Sequence, residues 1–293
     1  MSPKIAAAPI TWGVCEVPGW GHQLDPERVL SEMEALGFSA TELGPDGFLP
    51  PDPESLRELL EAHNLMLVAG FVPVVLHQAD RWSEERRRTE RQIVTLAEGG
   101  ASIVVLAAST GTEGYEMTSS LGDQEWSHLA RALAELEEIA VRHGLTACLH
   151  PHYGTVVETS EQIERLFQIS DVGICLDTGH VMVGGGDPVE LARTAAHRIR
   201  HVHLKDVDAA VAKAVRQGEL SYRQAVAQGL YRPLGQGDVD VAAIIAALDA
   251  VGYQGWYVLE QDTVLGEEPP EGKGPSSAAA ISLHYLKERL PAA

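Results

Sequence analysis

Short apolar runs alternate with amphipathic segments along almost the whole chain of 293 residues. Eight runs have strand character, and a segment with helical periodicity follows each of them. This alternation favours an α/β fold with a parallel sheet and outer helices, and eight such units favour a closed (β/α)8 TIM barrel. A doubly wound open sheet is the competing fold. It lacks support because no G-x-G-x-x-G motif follows the first strand.

The predicted strands end in polar residues, which places chemistry-bearing side chains at the strand–loop boundaries. In chain order the strands are KIAAAPITWG, ATELG, LMLVAGFVPVVLH, SIVVLAAS, LTACLH, VGICLD, RHVHLKD and GWYVLEQD. The first helix is predicted to begin after the N-cap Asp25 and to end at Gly37. Asp238 or Asp240 is predicted to cap the helix VDVAAIIAALDAVG.

The seventh strand–helix unit is longer than the others, because residues 207–236 add helical sequence and a turn. In a barrel this helical insertion lies on the active-site face, so it is predicted to be a substrate lid or an oligomer contact. No second domain is indicated, and residues 1–293 are predicted to form a single barrel domain.

Acidic residues outnumber basic ones by 42 to 22, which gives a formal net charge of −20. Such a charge repels phosphate backbones and anionic membrane surfaces, so neither nucleic acid nor membrane is expected as a partner. A small neutral polar substrate is favoured, or an anionic one held by a metal.

The cysteines, Cys15, Cys148 and Cys175, show no paired spacing and are interpreted as reduced thiols of a cytosolic protein. The N-terminal sequence does not have the form of a signal peptide, and no window approaches the roughly 18 apolar residues of a membrane span. We therefore expect a cytoplasmic location.

Metal-capable side chains end four successive predicted strands, the fifth to the eighth: they are His150, Asp177, His203 and Glu260. Residues two apart share one face of a strand, which aligns each of them with its neighbours on that face. Individually, a strand-end aspartate is more often an N-cap or a turn former, and a histidine within a strand is more often an ordinary core or surface residue. Their coincidence at one end of the sheet favours a mixed N/O site for Mn²⁺, Co²⁺, Fe²⁺ or Zn²⁺ rather than an all-oxygen Ca²⁺ cage.

The motifs LDTGH, HVHLKD, PLGQGDVD and YVLEQD, in this order, resemble those of the xylose isomerase-like TIM barrels of sugar isomerases and epimerases. Within that superfamily, APITWGV, TELGPDGF, LHPHYGT and GWYVLEQD are most similar to the inosose dehydratase branch. The resemblance covers nearly the whole chain. It implies one divalent metal, Mn²⁺ or Co²⁺ first and Zn²⁺, Fe²⁺ or Mg²⁺ as alternatives, held by residues of the last four strands.

Carried onto this sequence, the family's ligands correspond to His150, Asp177, His203 and Glu260. The chain departs from the family at the fifth strand, where many members have glutamate. His152 and Glu158 are therefore alternative ligands at that strand, and otherwise candidates for binding the substrate.

Four residues are candidates for catalysis: Glu260, Lys205, His180 and Glu42. The resemblance implies that His180 faces the substrate, with helix capping as the alternative. Lys205 is expected to polarise a substrate oxygen, or to carry a proton if burial near the metal lowers its pKa, with a salt bridge to Asp206 or a nearby acid as the alternative. Glu42 is expected to bind hydroxyl groups or to take part in proton transfer.

Three further residues are candidates for contacts with a sugar. Trp12 and Phe71, at the ends of the first and third strands, are predicted to form an apolar wall, and Arg232 is predicted to reach the substrate. The triple glycine 184–186 lacks the Lys and Ser/Thr of a phosphate-binding loop and is interpreted as a turn.

A divalent metal of this kind stabilises the enediolate that forms when a base removes the proton α to a carbonyl. The leading hypothesis is a metal-dependent lyase of inositol catabolism that dehydrates a keto-inositol, such as 2-keto-myo-inositol, or a related keto-sugar. A sugar or keto-inositol isomerase or epimerase is the first alternative. A non-catalytic sugar-binding barrel is the second, and a homo-oligomer is compatible with any of them.

Overall fold

The computed structural model describes residues 4–117 and 120–290. The strands are β1 (Ile5–Ala7), β2 (Ala40–Glu42), β3 (Met66–Val74), β4 (Ile103–Ala108), β5 (Thr146–Leu149), β6 (Gly173–Asp177), β7 (Ile199–Leu204), β8 (Asp206–Val207), β9 (Tyr231–Arg232) and β10 (Tyr257–Leu259). The helices are α1 (Pro26–Leu36), α2 (Pro53–Ala62), α3 (Trp82–Glu98), α4 (Asp123–Arg142), α5 (Ser160–Ile169), α6 (Thr178–Val183), α7 (Pro188–Thr194), α8 (Ala209–Arg216), α9 (Tyr222–Ala227), α10 (Val241–Ala250) and α11 (Pro275–Arg289).

Strands β1 to β7 and β10 close into one barrel in which all neighbouring pairs are parallel. The predicted TIM barrel is therefore confirmed. In such a barrel the side chains that end the strands meet at one mouth, because all strands run in the same direction. The last residues of β5, β6, β7 and β10 thus lie around a common opening.

The barrel interior is packed with small and medium-sized residues, among them Ala6, Ala40, Cys148, Cys175 and Val258. A larger cluster of aliphatic side chains fills the space between the sheet and the outer helices. Side chains on each strand alternate between these two layers. The interior layer forms an apolar floor beneath the polar residues at the mouth.

The predicted end of the first strand is wrong. The first strand ends at Ala7, and a 3-10 turn over Pro9–Trp12 follows it, because Pro9 has no N–H to donate to a ladder. The sixth strand ends at Asp177 as predicted, and the short helix α6, which was not predicted, begins immediately after it. By contrast, Asp25 caps α1, Gly37 ends it in the left-handed conformation, and Asp240 caps α10, as predicted.

The segment 207–236 contains α8, α9 and the antiparallel ribbon of β8 with β9. Glu116, in the loop after β4, accepts hydrogen bonds from the N–H groups of Tyr222 and Arg223 at 2.8 and 3.0 Å. Arg223 in turn donates to the carbonyl oxygen of Trp20, in the loop after β1. These contacts hold α9 against the two loops that border the barrel mouth. In the described residues 4–117 and 120–290, no helix is both long and apolar enough to cross a membrane.

Candidate metal and substrate site

Asp177 is both the last residue of β6 and the N-cap of α6. Its Oδ1 accepts hydrogen bonds from the N–H groups of Gly179 and His180, both at 2.9 Å. Its Oδ2 faces the barrel mouth, 2.7 Å from Nζ of Lys205 and 3.3 Å from Nε2 of His150. Helix capping therefore fixes one oxygen and leaves the other available for ligand chemistry.

The four predicted metal ligands converge at the mouth. Asp177, His203 and Glu260 each offer an atom within 4.8 Å of the other two. Nδ1 of His203 lies 3.2 Å from Oε2 of Glu260 and 3.5 Å from Oδ2 of Asp177. His150 belongs to two overlapping groups of the same size, one with Asp177 and His180 and one with Cys175 and His203.

Several buried imidazole nitrogens in this cluster make no well-formed hydrogen bond: they are both ring nitrogens of His150, Nε2 of His180 and Nδ1 of His203. Two of them, Nε2 of His150 and Nδ1 of His203, lie 3.3 and 3.2 Å from carboxylate oxygens without hydrogen-bond geometry. A buried polar atom without a partner calls for an explanation, and a bound ion is a common one. Imidazole nitrogens and carboxylates together form the mixed donor set that Mn²⁺, Co²⁺, Fe²⁺ and Zn²⁺ accept. The residues present therefore fit a divalent metal.

Lys205 lies among three carboxylates. Its Nζ is 2.7 Å from Asp177, 2.5 Å from Glu260 and 3.1 Å from Asp262. Burial opposes its charge, but the three carboxylates outweigh burial and hold the pKa of Lys205 well above its ordinary value. In the metal-free site, burial alone therefore does not lower the pKa of Lys205. The alternative of a salt bridge to a nearby acid is confirmed by these three carboxylates. Asp206 is not the partner, because its carboxylate accepts the backbone N–H groups of Val207, Gly235, Gly237 and Val239.

The acids of the cluster differ in protonation. Burial alone would raise the pKa of Asp177, but the ammonium of Lys205 holds it well below its ordinary value. His203 and Lys205 likewise lower the pKa of Glu260 against the effect of burial. For Asp262, burial and the neighbouring acids dominate, and its pKa rises to about 6. The site therefore contains carboxylates that stay ionised and one that titrates near neutrality.

A small cavity of about 70 Å³ opens above this cluster. The rings of His152 and His180 stack 3.6 Å apart along its wall, with Tyr115 against the other side of His152 at 4.3 Å. Phe71 lies 5.7 Å from His152, and Glu42 also lines the cavity. Burial lowers the pKa of His152 and of His180, which keeps both rings neutral.

Three predicted substrate contacts do not lie on this cavity. Trp12 packs beneath helix α1, where its Nε1 donates to Glu32 at 2.8 Å, because the 3-10 turn directs it away from the mouth. Arg232 pairs with Asp208 at 3.1 Å on the outer side of the ribbon. Glu158 is neither a fifth-strand ligand nor a cavity residue, since its carboxylate accepts from the N–H of Gly154.

Sequence reasoning missed a hydrogen-bond chain beside the cluster. The hydroxyl of Tyr222 donates to Oδ2 of Asp262 at 2.8 Å and lies 2.9 Å from the hydroxyl of Tyr231. The latter is 3.5 Å from Nδ1 of His180. Asp262 shares a strand face with Glu260, so alternation was a signal for it. The two tyrosines belong to the insertion, where no periodicity indicates which side chains point inward.

The chain is similar over its whole length to proteins of known family. A family model described as xylose isomerase-like TIM barrel matches residues 30–288. A protein named inosose dehydratase from Geobacillus kaustophilus is 34% identical, over 97% of this chain and 93% of that protein. A protein named rhizopine catabolism protein MocC from Rhizobium meliloti is 35% identical, over 100% of this chain and 90% of that protein.

Among solved structures, the crystal structure of an IOLI protein with a zinc atom has a TM-score of 0.71 to this chain. The alignment covers 98% of both chains at 18% sequence identity, a level at which the likeness shows the shared fold. The predicted family and its barrel are thus confirmed by sequence and by structure.

Proposed function

Because the chain belongs to the xylose isomerase-like TIM barrel family, we propose that it is a divalent-metal-dependent lyase that dehydrates a keto-inositol, such as 2-keto-myo-inositol. The observation that carries this proposal is the buried group of Asp177, His203 and Glu260 beside the ammonium of Lys205. The full-length similarity to proteins named inosose dehydratase supports the choice of substrate.

Dehydration requires two bonds of the substrate to break. A base takes the proton from the carbon α to the ketone, and the hydroxyl on the β carbon leaves with a proton from an acid, as water. A divalent metal, when bound, would polarise the ketone oxygen and make the α proton more acidic. Asp177, His203 and Glu260, with His150 at the fifth strand, are the residues that would hold it.

The chain supplies groups for both proton transfers. His180 presents a neutral ring in the cavity wall, and its Nε2 has no hydrogen-bond partner within the protein, so this atom is available to a hydroxyl group of the substrate and to its proton. Lys205 stays protonated and can donate a hydrogen bond or a proton to the leaving hydroxyl. His152, stacked on His180, and Phe71 form the wall against which a cyclohexane-type ring can lie.

Mn²⁺ or Co²⁺ is the metal we propose, since both accept two imidazoles and two carboxylates with positions left for substrate oxygens. The cavity combines an apolar wall with imidazole, ammonium and carboxylate groups of the cluster, which supports a ring-shaped polyhydroxylated keto substrate. The single domain over residues 1–293, the cytoplasmic location and the possibility of a homo-oligomer stay predictions.

The test is turnover of 2-keto-myo-inositol by the full chain with added Mn²⁺ or Co²⁺. A dehydratase produces an enolisable dione, so ultraviolet absorbance should rise and NMR should show loss of one substrate hydroxyl-bearing carbon. Glu260→Gln should abolish the rise, whereas Glu85→Gln, which alters a buried glutamate in the Arg81 and Arg88 pairs outside the cavity, should not.

Two outcomes would contradict the proposal. Deuterium incorporation from D₂O without an absorbance change would indicate an isomerase or epimerase, the alternative from the sequence. Metal binding and substrate binding without any chemical change would indicate a non-catalytic barrel.

A further inference from the structure

Glu42, at the end of β2, contacts two histidines of β7 across the barrel interior. It ends β2, is 2% exposed, and projects across the interior to β7. Its Oε1 lies 2.7 Å from Nε2 of His201 and 3.0 Å from Nε2 of His203. A single carboxylate oxygen of Glu42 therefore lies within hydrogen-bond distance of both histidines of the HVH motif, His201 and His203.

His203 presents its two ring nitrogens to different partners. Nε2 faces Glu42, while Nδ1 faces Oε2 of Glu260 and Oδ2 of Asp177 at 3.2 and 3.5 Å. A neutral imidazole carries one N–H, and its other nitrogen has a lone pair. When Nε2–H donates to Glu42, the lone pair of Nδ1 is directed at the Asp177 and Glu260 carboxylates.

His201 fixes the position of Glu42 itself. Its ring is fully buried, packs edge-on against His203 with centroids 5.2 Å apart, and makes the shorter of the two bonds to Oε1. The surrounding interior layer is apolar, with Ala40 and Val258 nearby on the same inner face. Within such surroundings a carboxylate is held firmly by its few hydrogen-bond donors.

We propose that Glu42 and His201 are positioning residues that orient His203 as an Nδ1 ligand. This inference rests on the metal centre proposed above and assigns Glu42 a role different from hydroxyl binding or proton transfer, the roles expected from the sequence. Glu42 acts through His203, and His201 acts through Glu42. Carboxylate partners of ligating histidines fix the tautomer and ring orientation and raise ligand basicity.

The test measures the dissociation constant for Mn²⁺ or Co²⁺ on the full chain, by competition with a chromogenic chelator and without substrate. Glu42→Gln keeps an acceptor oxygen but removes its charge, and should weaken metal binding about ten-fold, the lower end of the effect of such partners. His201→Leu should weaken it in the same direction. Glu85→Gln, a buried glutamate outside the cavity, is the matched control and should bind metal as the wild type does.

A second measurement separates orientation from a general loss of structure. Saturating metal should restore kcat of Glu42→Gln to within a few-fold of the wild type with KM unchanged, and the melting temperature without metal should change little. If Glu42→Gln does not fold, His201→Leu provides the same test, because it removes the other partner of the hydrogen bond between His201 and Glu42.

The outcomes distinguish this inference from the proposed function. Unchanged metal affinity in both variants, with KM raised or kcat lost at saturating metal, would overturn the positioning role and return Glu42 to direct contact with substrate. A wild-type chain that binds no metal would overturn the proposed function as well. Failure of 2-keto-myo-inositol as substrate would leave the metal-affinity result valid.

Discussion

At the scale of single residues, the aspartate of the LDTGH motif shows why two interpretations of one side chain need not compete. The sequence offered either an N-cap or a metal ligand for Asp177, and the structure uses one oxygen for each purpose. The carboxyl ends of strands are predictable positions, because the alternation of side chains fixes which residues face the mouth. The direction of each oxygen depends on α6, a six-residue helix without a periodic signal.

Gly179 shows a constraint that the sequence does not display. A Cβ at this position would lie 2.6 Å from Cβ of Lys205 and 2.8 Å from Cε1 of Tyr231. Gly179→Ala should therefore displace Lys205 from the carboxylates and lower kcat/KM about ten-fold, which corresponds to about 1.4 kcal/mol. Steady-state kinetics at saturating metal would measure this loss.

The control for this substitution is Gly266→Ala, because nothing lies within 4 Å of a Cβ built there. It should leave kcat/KM within two-fold of the wild type. If Gly179→Ala were equally harmless, close packing of Lys205 against the DTGH segment would not matter for the reaction.

At the scale of elements, the strand ends were predictable from the sequence and the insertion was not. Its position after the seventh strand followed from its length, but its fold depends on contacts made far along the chain. Asp206 accepts hydrogen bonds from the N–H groups of Gly235, Gly237 and Val239, which folds the PLGQGDVD loop back onto β8. Such long-range hydrogen bonds carry no local pattern, so Arg232 was placed on the wrong side of the ribbon.

The insertion contributes Tyr222 to the cluster, and its hydroxyl is the donor that holds Asp262. Tyr222→Phe removes that bond and should cost about 1 kcal/mol of stability. It should also lower kcat more than five-fold with metal affinity unchanged, because Asp262 would lose its position beside Lys205. Kinetics and metal titration on the same preparation would separate these effects.

Tyr253→Phe is the matched control, since it also removes one hydroxyl hydrogen bond, to the carbonyl oxygen of Trp256 at 3.0 Å. A similar loss of stability is expected there, with kcat retained. Equal loss of kcat in both variants would argue against a specific role of the insertion in the site.

At the scale of the whole molecule, barrel closure was predictable from the count of strand–helix units, and its electrostatic consequence is testable. Burial lowers the pKa of several interior histidines: His150, His152, His180 and His201. Each is neutral when folded and gains a proton in the unfolded chain below its unfolded pKa of about 6.5. Their contribution to stability is therefore present above that pH and is lost as the pH falls.

Groups with a raised pKa oppose this trend. Among them are His203, whose pKa is raised well above its ordinary value, Asp262, whose pKa rises to about 6, and the partly buried Glu137 and Glu158. More histidines have a lowered pKa than a raised one, and we expect them to determine whether stability rises or falls with pH. The free energy of unfolding of the metal-free chain should thus be lower at pH 5.5 than at pH 7.5, as measured by urea denaturation.

His152→Asn should make this dependence on pH shallower, whereas His284→Asn should not, since the side chain of His284 is 77% exposed. Equal or greater stability at pH 5.5 in the wild type would contradict the neutral state of the buried rings.

The most direct test of the metal centre is the metal content of the chain after equilibration with Mn²⁺ or Co²⁺ and removal of the free ion, determined by elemental analysis. One metal per chain is predicted for the wild type and for Glu85→Gln, and far less than one for Asp177→Asn and Glu260→Gln. A wild-type chain without metal, or variants that keep a full equivalent, would contradict a centre formed by the ends of β6, β7 and β10.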